Sequence, residues 1–436
     1  MKRQTAFFIT GLLLSIKVAN PVFATNGYWS HGYGPEAKSL AGACVAMTIS
    51  AMCAATNPGS LAFVGNRLEW GISLFSPTRG FTADDNAALP GPMGPASIPP
   101  GRYESDNDYF LIPHFAYNKQ LDASSAIGIA LGGNGGMNTE YEGAVFKNFA
   151  DPRSPLFPDN VPTSPTGIDL IQAFLGITYS KKLNERQAIG IMPILAVQSL
   201  AVQGLQPFKP FSQHPNNVTN NGHDMSYGGG IRIGWLGRVN ERLTLGAAYQ
   251  SQLWMTRFEE YKGVLADEGN FDIPANYDLG FAFDITPKIT FSFDYQYINF
   301  SSINAIGNAS DLVFMPGQIL LGTGDGLGFG WEDMRIYKVG VQWQYTTDWV
   351  FRAGFSDTSD AFPHTQALFN VLAPAVVTKH YTLGFEKAFK KDNYLEVAFM
   401  YAPNEAIHGT NVNTGPQTGH VEMDQWEMTL GWSKRF

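Results

Sequence analysis

Alternation with period two runs through nearly the whole chain. In KITFSFDYQY, Ile289, Phe291, Phe293, Tyr295 and Tyr297 fall on one side of an extended backbone, and Thr290, Ser292, Asp294 and Gln296 on the other. YKVGVQWQY repeats the arrangement, with Tyr337, Val339, Val341, Trp343 and Tyr345 opposed to Lys338, Gly340, Gln342 and Gln344. The same pattern recurs in LTLGAAYQ, YDLGFAFD, YTLGFE, YLEVAFMY and WEMTLGWSKRF. Together these segments predict about fourteen strands, near 67–79, 108–119, 123–133, 168–181, 187–200, 225–238, 241–254, 276–285, 288–300, 334–346, 348–357, 378–389, 393–403 and 424–436.

The connections alternate in length. Short polar turns (NKQLD, KKLNERQ, RVNER, DITPK, TTD and KKDN) take turns with long loops near 80–107, 134–167, 201–224, 255–275, 301–333, 358–377 and 404–423. A soluble sandwich has no reason to gather all its long loops at one end, whereas an outer-membrane barrel pairs short periplasmic turns with long external loops. The predicted fold class is therefore all-β, a transmembrane antiparallel β-barrel of about 14 strands. Its apolar face meets lipid, because a closed barrel satisfies its own backbone and leaves its outer side chains to hydrocarbon. Trp70, Trp235, Trp343, Trp349, Trp426 and Trp432 stand in or at the ends of strands, where girdle positions are expected. The C-terminal TLGWSKRF, ending on Phe436, approximates the signal read by the barrel-assembly machinery, with Lys434 where an apolar residue is usual.

Composition agrees with this picture. Of 436 residues 15% are charged, 13% are aromatic and 46 are Gly, which suits strands and turns better than helices. Lys2 and Arg3 precede an apolar run from Ala6 to Ile16, and Val22-Phe23-Ala24 offers a cleavage site, so residues 1–24 read as a signal peptide. Loss of its three cations, Lys2, Arg3 and Lys17, takes the formal charge from −9 to about −12, a poor balance for nucleic acid.

Residues 25–66 precede the first strand and are too few for a large globular plug. The stretch EAKSLAGACVAMTISAMCAA is rich in Ala, Gly and Ser, which pack closely in a confined lumen, so this segment is expected to be an N-terminal lumenal hatch. Residues 67–436 then form the barrel. Cys44 and Cys53 are nine apart, which on one straight helix sets them on opposite faces; two buried thiols are expected ahead of a disulfide. In IGIALGGNGG, the glycines Gly132, Gly133, Gly135 and Gly136 mark either a kink in the barrel wall or an ordinary strand-to-loop transition.

NGYWSHGYG (26–34), LAGACVAM (40–47) and AATNPGSLAFVGNRLEWGISLFSPTRGF (54–81) resemble the hatch and first strand of the FadL/TodX-type outer-membrane transporters of long-chain fatty acids and other hydrophobic compounds. GLQPFKPFS (204–212), VTNNGHDMSYGGGIRIGWLGRV (218–239), FDIPANYDLGFAF (271–283), FGWEDMRIYKVGVQW (329–343) and QALFNVLAPAVV (366–377) extend the resemblance in order along the mature chain. It implies a fourteen-stranded barrel that passes hydrophobic ligands by diffusion, from apolar external loops to an inner pocket and out sideways once the hatch rearranges. The family's Asn-Pro-Ala hatch element falls on Asn57, Pro58 and Gly59, with Gly in place of Ala.

The residues themselves suit such transport. Leu205, Phe208 and Phe211, with Phe369 and Leu372, put apolar side chains on external loops, where they serve to capture ligand or to pack as a lid. By alternation His114, Arg232, Lys338, Arg352 and Glu386 face inward, and a cation such as Lys338 or Arg352 is a candidate partner for a carboxylate head group. No catalytic residue, metal or cofactor is assigned. G-x-S-x-G and H-E-x-x-H are missing from the sequence, GTGDGLGFG has no Lys, and a calcium site of Asp325, Glu332 and Asp333 is the weaker reading of that loop. The expected partners are a hydrophobic small molecule, outer-membrane lipid and lipopolysaccharide, and the assembly machinery; the expected state is a monomer in the outer membrane of a Gram-negative cell. A general diffusion porin, an outer-membrane lipid hydrolase and an adhesin are the rival readings.

Overall fold

The computed structural model describes residues 25–85, 97–149, 162–312, 317–367, 369–410 and 417–436. The expected signal peptide, 1–24, lies outside the described residues. Fourteen long strands build one sheet: β1 (Arg67–Ala83), β2 (Phe110–Gln120), β3 (Ser125–Tyr141), β4 (Thr166–Asn184), β5 (Gln187–Gln203), β6 (Asp224–Arg238), β7 (Leu243–Gln250), β8 (Asn276–Thr286), β9 (Ile289–Ile298), β10 (Met334–Gln344), β11 (Trp349–Thr358), β12 (Lys379–Phe389), β13 (Asn393–Thr410) and β14 (Thr418–Arg435). Each pairs antiparallel with the next, and β14 returns to β1 in unbroken register from Gly419↔Ala83 to Arg435↔Arg67. Closure leaves no strand at an open end of the sheet, which is the condition for exposing apolar side chains to hydrocarbon.

Alternation carries through to burial. Ser292, Asp294 and Gln296 of β9 are buried toward the lumen, while Trp70, Val341, Leu383, Phe399 and Leu430 stand exposed on the outer face. Three strands run longer than their apolar pattern: β3 continues to Tyr141, β13 to Thr410, and β14 begins at Thr418. These extensions lie at the long-loop end, where the continuous apolar outer face of the lipid-facing strands gives way to residues such as Glu422, His408 and His420. The seventh strand is shorter than its pattern, stopping at Gln250; Trp254–Met255 then pairs separately with Gly229 and Gly228 of β6.

The segment ahead of β1 folds into small pieces. Two-residue strands, Thr25–Asn26 and Trp29–Ser30, form a hairpin, followed by α1 (Gly34–Lys38), 3-10 turns at Ala51–Ala55 and Pro58–Ser60, and α2 (Leu61–Val64). Small residues make this compactness possible: a Cβ at Gly42 would overlap the His31 carbonyl, and Gly42 holds φ +85°, which other residues rarely adopt.

Candidate functional site

The segment 26–66 is buried against inward side chains of widely separated strands. Ala41 N donates to Thr382 Oγ1 of β12 at 3.0 Å, Val45 N to Asp294 Oδ2 of β9 at 2.8 Å, and Asn57 Nδ2 to the Trp235 carbonyl of β6 at 2.9 Å. Glu69 of β1 gathers three donors from one turn: Ser50 Oγ at 2.8 Å, Ala51 N at 2.7 Å and Met52 N at 3.2 Å. Charges complete the fastening. Lys38 pairs with Glu427 of β14, and Arg67 with Glu36, Glu69 and Glu396. Burial pushes the Glu36 carboxyl up to about 7 against the pull of Arg67. Three carboxylates, Glu36, Glu386 and Glu396, converge here, and the guanidinium of Arg67 pairs with two of them while Arg352 and Arg435 hold the third.

Asn57, Pro58 and Gly59 lie where this segment meets the wall. The Asn57 side chain accepts from Gly59 N at 3.0 Å and also donates to the Val45 carbonyl at 2.8 Å, bracing the turn from both directions. Wall glycines make the approach possible: a Cβ at Gly190 would run into Pro58, and one at Gly234 into Asn57. A Cβ on Gly59 would lie 3.1–3.2 Å from Asn57 Oδ1 and the carbonyls of Gly234 and Ala188, so the site is tight for the Ala of the family pattern. Cys44 and Cys53 are buried free thiols, and their mutual hydrogen bond together with burial pushes the Cys44 thiol up.

The glycines of β3 coincide with an interruption of the wall. β2 and β3 pair only from Gln120↔Ala126 to Phe115↔Leu131; beyond that point Phe110–His114 keep β1 as a partner, and β3 keeps β4. The β3–β4 register shifts between Gly133 and Gly135, leaving Asn134 extra; its side chain turns inward to Tyr33 and to Gln172. From inside the barrel Trp29 pairs with Gly135, and Gly136 N donates to the Tyr28 carbonyl at 3.1 Å. A Cβ at Gly135 would overlap that carbonyl, so the close approach of Tyr28 requires a glycine there.

Of the loop residues singled out in the sequence, Leu205, Phe208, Phe369 and Leu372 line one apolar cavity of about 90 Å³ together with Phe146 and Leu327. Phe211 is buried beside it without lining it, and its carbonyl accepts from Leu320 N and Leu321 N. Lys338 and Arg352 lie elsewhere. Lys338 reaches the His31 carbonyl at 3.5 Å, and Arg352 pairs with Glu386 at 3.1 Å and Gln342 at 2.8 Å, both deep among the fastenings of the N-terminal segment. Asp333 accepts from Ser301 N and Tyr297 Oη rather than joining Asp325 and Glu332.

A smaller void of about 30 Å³ borders the wall at Gly136 and is lined also by Arg79, Met137, Trp331, Met423 and Gly27. The Arg79 guanidinium donates one bond to the Asn138 carbonyl and lies 5.4 Å from the Phe110 ring centre. Its Nε and Nη2 are buried without a hydrogen-bond partner, and among the described residues no carboxylate is within ion-pairing distance.

Residues 169–436 match the sequence profile described as outer membrane protein transport protein (OMPP1/FadL/TodX). The chain belongs to this family. No curated protein sequence matches it significantly. Among solved structures, the toluene transporter TodX of Pseudomonas putida superposes with TM-score 0.64 at 19% identity, over 93% of this chain and 99% of that one. A FadL homologue of Pseudomonas aeruginosa gives 0.65 at 15% identity, over 94% and 100%, and the toluene transporter TbuX of Ralstonia pickettii 0.60 at 18%, over 93% and 99%. At these identities the likeness establishes the barrel architecture alone. Family and fold together make the chain an outer-membrane β-barrel transport protein of Gram-negative type.

Sequence reasoning missed the buried aromatic cluster of this FadL/TodX-family barrel. Tyr28 and Trp29 stack at 6.4 Å, with Phe300 and Trp331 packed on Tyr28 at 5.1 and 5.8 Å. Arg79 escaped notice because it belongs to TRGF, where the alternation of β1 lapses. The available signal was a lone cation in a strand otherwise free of charge from Gly71 to Ala83.

Proposed function

We propose that this chain carries hydrophobic compounds passively across the outer membrane, with long-chain fatty acids as the leading substrate class. The observation that carries the reading is the interrupted β2–β3 wall, backed from inside by Tyr28 and Trp29, in a barrel whose loops enclose an apolar cavity. An apolar chain gains about 25 cal/mol for each Å² it removes from water, so capture at Phe208 and Phe369 needs no energy source. Both apolar voids are far smaller than the ~300–1,000 Å³ of common ligand pockets, so passage requires the packing around them to move. In this reading residues 25–66 act as the hatch, Asn57-Pro58-Gly59 as its pivot on the wall, and the glycines of β3 as the edge of a lateral opening. Arg79, buried beside the inner void with free donors, suits a carboxylate head group. A general porin would hold an open wet lumen, a reading that the burial of segment 26–66 against inward side chains does not favour.

The test is uptake of labelled oleate and of toluene by cells with and without the chain. Faster uptake of oleate supports the reading in full; faster uptake of toluene alone moves the substrate to neutral hydrocarbons. Equal rates for both compounds would remove the transport assignment.

A further inference from the structure

The last hairpin, β13–β14, continues past the lipid-facing surface. On its outer face the rungs run Val397↔Leu430, Phe399↔Met428 and Tyr401↔Trp426, an apolar series closed by an aromatic pair. After a bulge between Ala402 and Glu405 the same face continues as Ala406↔Glu422 and then His408↔His420. Six residues separate Trp426 from His420, about 20 Å along a strand, so the two histidines stand clear of the aromatic rung on the external side.

We infer that His408 and His420 form a bidentate site for a divalent first-row transition metal ion, zinc being the reference case. The two residues are direct cross-strand partners, and their ring centroids are 4.7 Å apart with planes inclined at 40°. Each backbone position is fixed by the ladder, so the pair is held together before any ion arrives, and the ordering cost of binding falls to two side-chain rotations. An ion bonded to both imidazoles at about 2.0–2.1 Å needs the two nitrogens no more than about 4 Å apart, within reach of rings this close. Imidazole donors favour zinc, nickel and copper over magnesium and calcium.

The surroundings help rather than oppose. Glu422 stands one rung inward on the same face, opposite the small Ala406, and Glu104 lies beyond Gly80 in that row. The nearest cation is Arg102, which is spent on these two carboxylates, at 2.9 Å from Glu104 and 3.2 Å from Glu422. Thr82 lies between Arg102 and His420 in the rung, and on the other side Lys379, at the start of β12, is paired with Glu405 at 3.4 Å. His408 is exposed and His420 half-buried, which leaves further coordination positions to water.

The experiment uses the full mature barrel, without a histidine tag, in detergent, titrated with zinc by calorimetry at pH 7.5. One equivalent is expected to bind in the wild type, and His408→Ala or His420→Ala to weaken it at least tenfold. His214→Ala, on the loop between β5 and β6, is expected to bind as the wild type does. Zinc should also slow amide exchange at residues 405–410 and 418–423, a readout that locates the ion whatever the total stoichiometry. Absence of saturable binding, or an equivalent retained in both alanine variants, overturns the proposal; retained heat-modifiability on gels shows that either result comes from a folded barrel.

Discussion

Glu69→Ala separates the fastening of the lumenal segment from the stability of the barrel. The carboxylate accepts from Ser50 Oγ, Ala51 N and Met52 N, and its removal leaves two backbone donors buried without it. Met52 N keeps a partner in Ser50 Oγ at 3.0 Å, so Ala51 N is the backbone donor left orphaned, and at about 1–3 kcal/mol for such a donor the packed arrangement of residues 50–55 loses about that much. At about 1.4 kcal/mol per decade, a mid-range loss of about 2 kcal/mol raises the detached population roughly thirtyfold. The barrel itself is spared, because Arg67 retains Glu36 and Glu396 and the β14–β1 ladder is untouched. Hydrogen exchange should show protection falling at Ala51, Met52 and their neighbours while the strands stay protected, and uptake of oleate should rise. Glu69→Gln keeps one acceptor and the shape of the side chain and should fall between. Unchanged protection at 50–55, or lost protection with unchanged uptake, would refute the view that this fastening holds a gate.

Other perturbations read different parts of the structure. Gly135→Val places side-chain atoms where the Tyr28 carbonyl lies and should expel the Tyr28–Trp29 strand, seen as increased exchange at 26–33 with β4–β14 unaffected. Arg79→Gln should lower oleate uptake severalfold and leave toluene uptake unchanged if the guanidinium meets a carboxylate; equal effects on both compounds would assign it to packing. Phe208→Ala removes a wall of the loop cavity and about 1.5–3 kcal/mol of apolar burial available to ligand, so half-saturation should rise by about tenfold or more. His223 bonds Asp169 at 3.0 Å, and that bond raises its pKa above the ordinary 6.5. The unfolded or detached loop then binds fewer protons, so the anchorage is complete below about pH 6.5 and is lost as pH rises through the raised value. Exchange at residues 218–223 should accelerate from pH 5.5 to 8.5 after correction for intrinsic rates, and His223→Asn should flatten the difference.

Much of the wall was determined by sequence alone. The period of two named every one of the fourteen strands, because lipid outside and polar side chains inside impose opposite demands on successive residues. Loop lengths gave the polarity of the barrel for an equally local reason, since a two-strand turn and an external loop differ in length whatever they fold into. Lys338 and Arg352 show where this reading stopped: alternation turned them inward correctly, yet whether they meet ligand or the Glu386 and His31 of the lumenal packing depends on what else occupies the lumen. The strand extensions to Tyr141 and Thr410 were likewise invisible, because beyond the lipid the backbone ladder no longer needs an apolar face. Only the tertiary structure put Leu205, Phe208, Phe369 and Leu372 around one void, brought Trp29 to Gly135 across about a hundred residues, and left Arg79 buried with free donors. Such meetings follow from closure of the sheet and from the path of residues 25–66 through it, and neither is written in the period of any single strand.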